Sequence, residues 1–429
     1  MKGFSFLFDI FSFFILLTIG SLYMAERGME MSNIRKFCVA IVGGGSAGIM
    51  VAARLLRARP SLRGSIAIID PADKHYYQPL WTLVGAGVVS KEKTEREEAS
   101  LIPKGATWIK ESIESFFPEM NQVCTAQGEK IQYDYLVVSA GIEIGWDKIK
   151  GLPEAIGKGG VCSNYSYEHV SYTWECLRTF SGGTAIFTHP NTPIKCGGAP
   201  QKIMYLADDH MRKAKVRSHS QIIFASANAS IFAVKKYADS LQNVINRKNI
   251  HTNFRWNLIE ILSEKKEALF VHLDTKELHT LSYDMLHVVP PMFPPRFIRE
   301  SPLADAAGWV EIDAATLQHR RYPNIFSLGD CSNLPTSKTG AAIRKQAPVL
   351  VANLLAVMDQ QTLSARYDGY TSCPLVTGYN RLILAEFDYK LEPRETFPFD
   401  QAKERYSMYR VKKDLLPLLY WRAMMKGRM

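Results

Sequence analysis

The chain has 429 residues, a net charge of +10 and a 47% share of apolar residues, which suits a folded protein of about two domains rather than a disordered or fibrous one. The positive balance favours anionic substrates or an anionic membrane surface, and no zinc-finger spacing or RNA-binding signature supports a nucleic-acid partner. The 7 cysteines are too sparse for a disulfide scaffold and include no C-x-x-C, and the 10 histidines form no H-E-x-x-H cluster, so no metal is expected.

Taken in chain order, residues 4–23 carry a single charge, Asp9. That stretch is long enough to span a bilayer and lacks the Arg-rich amphipathic pattern of a transit peptide. With Met24, Met29 and Met31 close behind, it fits an anchor, a cleaved signal or an extended reading frame, and residues 1–34 are set apart from the folded chain. Phe37–Val42 then reads as a buried strand. Gly43-Gly44-Gly45-Ser46-Ala47-Gly48 turns into a helix through Leu56, and Ser65–Ile69 is a second strand ending at Asp70. Strand, G-x-G-x-x-G, helix and an acidic residue about 20 residues on make a dinucleotide fingerprint. Gly43 makes the turn, Gly45 lets the backbone approach a pyrophosphate, Gly48 permits close helix–strand packing, and Asp70 accepts ribose hydroxyls. The pattern by itself does not separate FAD from NAD. Tyr133 to Gly141 reads as a further strand entering a small-residue turn.

Residues 151–295 have the strand–helix rhythm of a second doubly wound unit. Ala185–Thr188 is a short buried strand, and Gln201–Lys213 a helix with Pro200 in its first turn. Between them lies Thr192-Pro193-Ile194-Lys195-Cys196-Gly197-Gly198-Ala199-Pro200-Gln201-Lys202, at the place where a second nucleotide-binding loop is common. Two prolines and no G-x-G-x-x-G argue against that use. A thiol close to a helix N-terminus, flanked by Lys195 and Lys202, suits a ready thiolate. The plainer reading is a small buried cysteine in a tight turn. Gln221–Ala225 and Lys235–Arg247 supply another strand and helix, and Tyr283–Val289 a strand leading into the proline-rich Pro290–Pro295 crossing.

Tyr322 to Asp330 is a strand ending in Gly329-Asp330; with Tyr133–Gly141 it resembles segments of flavoproteins with two dinucleotide-binding domains, which implies a flavin whose pyrimidine carbonyls face the N-terminus of the helix after Lys338-Thr339-Gly340. The first domain is thus assembled from residues 35–150 and 296–365, with 151–295 inserted. Residues 366–429 hold Cys373 beside Pro374, read as a proline turn. Leu415–Lys426 is apolar and aromatic with basic residues, which fits an interfacial helix on an anionic leaflet or a terminal helix packed on its own domain.

Together, Lys195–Lys202, Tyr322–Thr339 and Tyr367–Tyr389 resemble the sulfide:quinone oxidoreductases of mitochondrial type, over residues 35 to 422. The resemblance implies an α/β fold of two Rossmann-like (FAD/NAD(P)-binding) domains with a C-terminal membrane-associating region. It also implies noncovalent FAD and attachment to the mitochondrial inner membrane. Cys196 and Cys373 become the redox pair, with Lys202 as a supporting catalytic residue. FAD contacts fall on Gly43, Gly45, Ser46, Ala47, Gly48, Asp70, Gln78, Ile113, Ala140, Gly141, Gly329, Asp330 and Lys338. The implied partners are hydrogen sulfide, ubiquinone and a sulfane-sulfur acceptor such as glutathione. Hydrosulfide is expected to attack a Cys196–Cys373 bridge at Cys373, in a positive field from Lys195 and Lys202, to which Lys412 is a further candidate. Related enzymes continue past the equivalent of Met429, and carry small residues in place of Arg344-Lys345, whose charges either act on the flavin or face solvent. Cys38, Cys124, Cys162, Cys176 and Cys331 are read as structural, with Cys331 the one placed next to a cofactor residue. The rival readings are a type II NADH dehydrogenase, which needs a second glycine loop, and a catalytically silent flavoprotein.

Overall fold

The computed structural model describes residues 34–429, so the apolar segment at 4–23 lies outside the described residues. Four apolar strands run parallel in the order Ala106–Ile109, Ile66–Ile69, Arg35–Val42, Lys130–Val138. The near-continuous burial of Ile66–Ile69 and of the second half of Arg35–Val42 matches the centre of a sheet covered on both faces. The long strand Lys130–Val138 divides its outer edge. Its first half pairs antiparallel with Gln122–Thr125, and its last residues pair parallel with Ile325–Ser327. That late strand brings Gly329-Asp330 back beside the fingerprint, the chain having left this sheet at Val138 and rejoined it at Ile325.

Between departure and return the chain builds a second parallel sheet in the order Val161–Cys162, Met285–His287, Gly183–His189, Ser220–Ser226, His251–Phe254. The strand expected over Tyr283–Val289 shortens to Met285–His287. An antiparallel meander of Trp256–Leu262, Glu267–His272 and Leu278–Ser282 is added, which the doubly wound rhythm did not suggest. The helix Ala199–Lys213 follows the thiol loop with Pro200 in its first turn, as its missing N–H allows.

Two expectations for the tail change. Cys373 and Pro374 lie inside a strand, Thr371–Gly378, not in a turn. That strand pairs only with Arg381–Phe387, so an N–H-less residue can face the free edge of a two-stranded ribbon. The expected terminal helix is also broken into a π-helical turn at Val411–Leu415, a short helix at Leu416–Arg422 and a 3₁₀ turn at Met424–Lys426. Tyr420, Met424 and Met425 are buried, whereas Leu415 and Leu418 remain 44% and 45% exposed. The tail therefore packs on its own domain and still presents leucines outward.

Candidate active site

The fingerprint loop is fixed by what a side chain would strike. A Cβ at Gly48 would sit 1.9 Å from the Gly43 carbonyl oxygen, and one at Gly43, whose φ is +102°, would sit 2.5 Å from the Ser139 carbonyl oxygen. At Gly45 a Cβ would meet nothing within 4 Å. The loop thus closes on its own sheet and opens at its middle glycine, the shape a pyrophosphate needs. Asp70 accepts from the Gly44 N–H at 2.6 Å and the Ala72 N–H at 2.8 Å, and each carboxylate oxygen keeps a lone pair for a ribose hydroxyl. The Ser139 hydroxyl donates to the Val42 and Gly43 carbonyls, which holds the Ala140-Gly141 turn against the loop. From the returning strand, Gly329 comes to Ala47: a Cβ there would lie 3.5 Å from the Ala47 Cβ. Two more of the expected contacts, Gln78 and Ile113, come from outside the fingerprint loop. Gln78 is exposed in a short turn. Ile113 is buried in the core, so only its backbone is available to a ligand.

The tail reaches this cradle, which sequence reading did not foresee. Ser46 Oγ and Tyr420 Oη lie 2.6 Å apart, Tyr420 Oη and His75 Nε2 2.5 Å, and His75 Nδ1 and Glu98 Oε2 3.1 Å. All but Ser46 are buried. The second Glu98 oxygen is buried with no hydrogen-bond partner among the described residues. Burial holds the Glu98 carboxyl above its usual range, against the pull of His75.

The thiol loop is pinned across the two domains. The Cys196 N–H donates to the Lys338 carbonyl at 2.8 Å, and the Ala199 N–H donates to the Cys196 carbonyl at 2.7 Å. Cys196 adopts φ +56°, a conformation that is uncommon away from glycine and marks a constrained loop. The Lys338 side chain turns away from the loop, donating to the Asp330 and Ser332 carbonyls with its ammonium 3.9 Å from the Trp309 ring. It holds the Gly329-Asp330 turn in shape. Thr339 caps the following helix by accepting from the Ala342 N–H. At Gly340 a Cβ would meet nothing within 4 Å, so this helix end faces open space beside the thiol. Farther along the helix Lys345 is exposed, and Arg344 and Lys345 lie over the Tyr370 ring at 5.9 and 5.4 Å.

Cys196 and Cys373 are brought together, with their side chains in hydrogen-bonding contact. Cys373 is 0% exposed, while Cys196 is partly exposed. The Cys196 thiol is held well below its ordinary value, first by the hydrogen bond from Cys373 and then by Lys202 and Lys412, against the opposing effect of burial. Cys373, as donor in that hydrogen bond and in burial, is pushed well up. The reduced pair is therefore a thiolate beside a thiol. Lys202 donates to Cys196 Sγ at 3.3 Å. Lys412 is buried, donates to the Pro79 carbonyl at 2.7 Å, and is brought down to about 7, chiefly by burial and then by Lys202.

Lys195 does not join them. Its ammonium lies 5.6 Å from the Trp81 ring, and its charge acts on Asp330. It forms a bridge to Lys338 just before the backbone reverses at Cys196, so the two neighbours project to different sides. Tyr165 was missed by the sequence reading. Its hydroxyl is buried, has no hydrogen-bond partner among the described residues, and lies within the field of both thiols. Nothing in its local sequence marks it. Cys331 is buried, with its thiol directed at the Val138 and Leu328 carbonyls and Ser327 and pushed up by burial. That environment suits a structural cysteine. Among the described residues no group of three His, Cys, Asp or Glu side chains could hold a metal.

The sequence pattern of the pyridine nucleotide-disulphide oxidoreductases matches residues 37–170. The chain is 49% identical to the mitochondrial sulfide:quinone oxidoreductase of Mus musculus over 390 residues, covering 91% of this chain and 86% of that one. It is 50% identical to the protein of the same name from Dictyostelium discoideum over 401 residues, covering 93% and 88%. Among solved structures, the sulfide:quinone oxidoreductase of Aquifex aeolicus superposes with a TM-score of 0.77 at 20% identity, covering 92% of each chain. That last likeness is one of fold.

Proposed function

The chain belongs to the sulfide:quinone oxidoreductase family, and we propose that it oxidises hydrogen sulfide at the Cys196–Cys373 pair, hands a sulfane sulfur to a small thiol such as glutathione, and passes two electrons through FAD to ubiquinone. The observation that carries this reading is the contact of the two thiols beneath the Lys202 ammonium, 3.3 Å from Cys196 Sγ.

FAD fits the cradle because Gly45 leaves room where Gly43 and Gly48 leave none, and because the capped helix end at Gly340 opens beside the thiol. Gly43 to Gly48, Asp70, Ala140, Gly141, Gly329 and Asp330 would hold it, with Lys338 acting through the Asp330 turn. Held there, a flavin would supply two-electron chemistry between the cysteine pair and a quinone.

The residues do the following. In the resting state the two sulfurs are bridged. Hydrosulfide attacks the Cys373 sulfur, the bridge breaks, Cys373 carries a persulfide and Cys196 leaves as a thiolate, which Lys202 and Lys412 stabilise. An acceptor thiolate takes the outer sulfur from Cys373, leaving its thiolate. The two thiolates, Cys373 and Cys196, then re-form the bridge, an oxidation whose two electrons the flavin held beside them would take up. The Tyr165 hydroxyl, unpartnered among the described residues, adds a buried polar group within the field of both sulfurs. A mitochondrial location accords with the relatives' names. Attachment to the inner membrane is supported by the exposed Leu415 and Leu418 beside the basic Lys413 and Arg422.

Anaerobic titration of the purified flavoprotein with sulfide, followed by a soluble ubiquinone analogue, tests the proposal. The expected result is bleaching by sulfide and recovery with quinone. Bleaching by NADH but not by sulfide would transfer the chain to the nicotinamide-dependent reading.

A further inference from the structure

A second pair of thiols lies between the second sheet and a helix packed on it. Cys162 ends the short strand Val161–Cys162 and is 0% exposed, and Cys176 sits in the helix Val170–Thr179 at 9% exposure. Their side chains are in hydrogen-bonding contact. Cys176 also lines a cavity of about 280 Å³, together with Tyr172, Glu175, Phe180, Lys266 and Asp284. The Tyr172 hydroxyl accepts from the Gly160 N–H at 3.2 Å and reaches the Cys176 thiol as well. A cavity slightly below the range of drug-sized pockets suits a ligand of amino-acid size.

The arrangement repeats the polarity of the active pair. Cys176, on the cavity wall, is held below the ordinary thiol value, first by the hydrogen bond from Cys162 and then, against burial, by Tyr172. Cys162, behind it, is pushed well up, first by burial and then by Cys176. One sulfur is thus a ready nucleophile facing the cavity, and the other is a protonated partner within reach.

We propose that Cys162 and Cys176 form a second dithiol site, which takes sulfane sulfur from a low-molecular-weight persulfide entering the cavity and closes into a disulfide. The Cys176 thiolate attacks the outer sulfur of R–S–SH. A bond forms to that sulfur, the S–S bond of the incoming persulfide breaks, RS⁻ departs, and Cys176 is left carrying the outer sulfur as a persulfide. Cys162 then attacks the inner sulfur on Cys176 and gives its proton to the departing group. The bond to the outer sulfur breaks, hydrogen sulfide leaves, and the Cys162–Cys176 bridge remains. The persulfide is reduced by two electrons to a thiolate and hydrogen sulfide, and the dithiol is oxidised to a disulfide.

The consequence is structural as well as chemical. The bridge ties the helix Val170–Thr179 to the sheet, and Trp174 of that helix packs edge-on against His210 of the helix that follows the Cys196 loop, with ring centroids 5.0 Å apart. The proposed function bears only on where such a persulfide arises in the cell. The experiment supplies the persulfide directly, so the two readings fail separately.

The reduced holoenzyme, freed of excess reductant, is exposed to stoichiometric cysteine persulfide, alkylated, and mapped by peptide mass spectrometry. A linked Cys162–Cys176 peptide is expected in the native chain. In Cys162→Ser a persulfide is expected to remain on Cys176, heavier by one sulfur, and in Cys176→Ser the Cys162 thiol is expected to stay unmodified. Bound-flavin absorbance reports folding, and Cys162→Ala carries the same test should the serine variant lose flavin. Recovery of both thiols free in the native chain, or labelling of Cys176 no faster than that of the half-buried Cys38 and Cys124, would overturn the proposal.

Discussion

Replacing Lys412 by methionine should stabilise the protein and slow it at once, and the size of the first effect follows from the site. Lys412 is 2% exposed, and its ammonium is brought from 10.5 to about 7, first by burial and then by Lys202, with Cys196 and Cys373 opposing. At about 1.36 kcal/mol per pKa unit, that depression corresponds to a penalty on the order of 5 kcal/mol for carrying the charge into the fold. Methionine fills a similar volume without the charge. The lost hydrogen bond to the Pro79 carbonyl takes back about 1 kcal/mol, so a net gain of about 2–4 kcal/mol is expected near neutrality. The sign can be checked by pH. Below about pH 7 the lysine is charged in both states and the full penalty is present. Between about pH 7 and 10.5 the unfolded chain holds one proton more at this position than the folded chain, so native stability rises with pH and the gap to the variant closes. Denaturant titrations of both proteins at about pH 6.5 and pH 9.5 measure this. The gap should widen when the cysteines are bridged, because the thiolate charge that raises the lysine is then absent. A variant less stable than the native chain by the same amount at both pH values would refute the reasoning.

Cys196→Ser and Cys373→Ser should each abolish sulfide-dependent quinone reduction while retaining bound flavin, and substantial turnover in either would remove the pair from the mechanism. Lys202→Met withdraws the cation 3.3 Å from Cys196 Sγ, so the pH midpoint for alkylation of the reduced enzyme should move up by about 1 unit or more; an unmoved midpoint would show that Cys373 and Lys412 suffice. Tyr420→Phe deletes the hydroxyl that joins Ser46 to His75 at 2.6 and 2.5 Å and leaves a buried imidazole nitrogen without its partner. Flavin affinity should fall about tenfold, and unchanged retention on dilution would dissociate the tail from the cofactor site.

The parts of this molecule that sequence exposes are those where one residue type answers one local constraint. Gly48 is readable because any side chain there collides with the Gly43 carbonyl within one contiguous strand, loop and helix, and Gly43 because it opens that same turn, although what it would strike is Ser139 of a distant strand. The thiol loop is readable for a similar reason. Cysteine, glycines, proline and Lys202 sit within a single turn, and Lys202 lies in the first turn of a helix that carries it back to the thiol. The same proximity misled at Lys195, because adjacent residues in a reversing backbone do not share a side, and at Pro374, because a two-stranded ribbon offers a proline an edge that a wider sheet would not. What stayed hidden depends on segments far apart in the chain. Ser46, His75, Glu98 and Tyr420 come from four separate stretches, and Tyr165 from a loop with no marking neighbour. Cys162 and Cys176 illustrate the limit best. Each reads as a small buried cysteine, because the helix–strand contact that joins them leaves no periodicity behind. The place of Cys176 on a cavity wall, with Cys162 in contact behind it, distinguishes the pair from Cys331, which is buried with its thiol directed at backbone carbonyls. Burial alone therefore cannot separate a structural thiol from a reactive one. The deciding quantity is what the sulfur faces, and that is fixed by the tertiary fold.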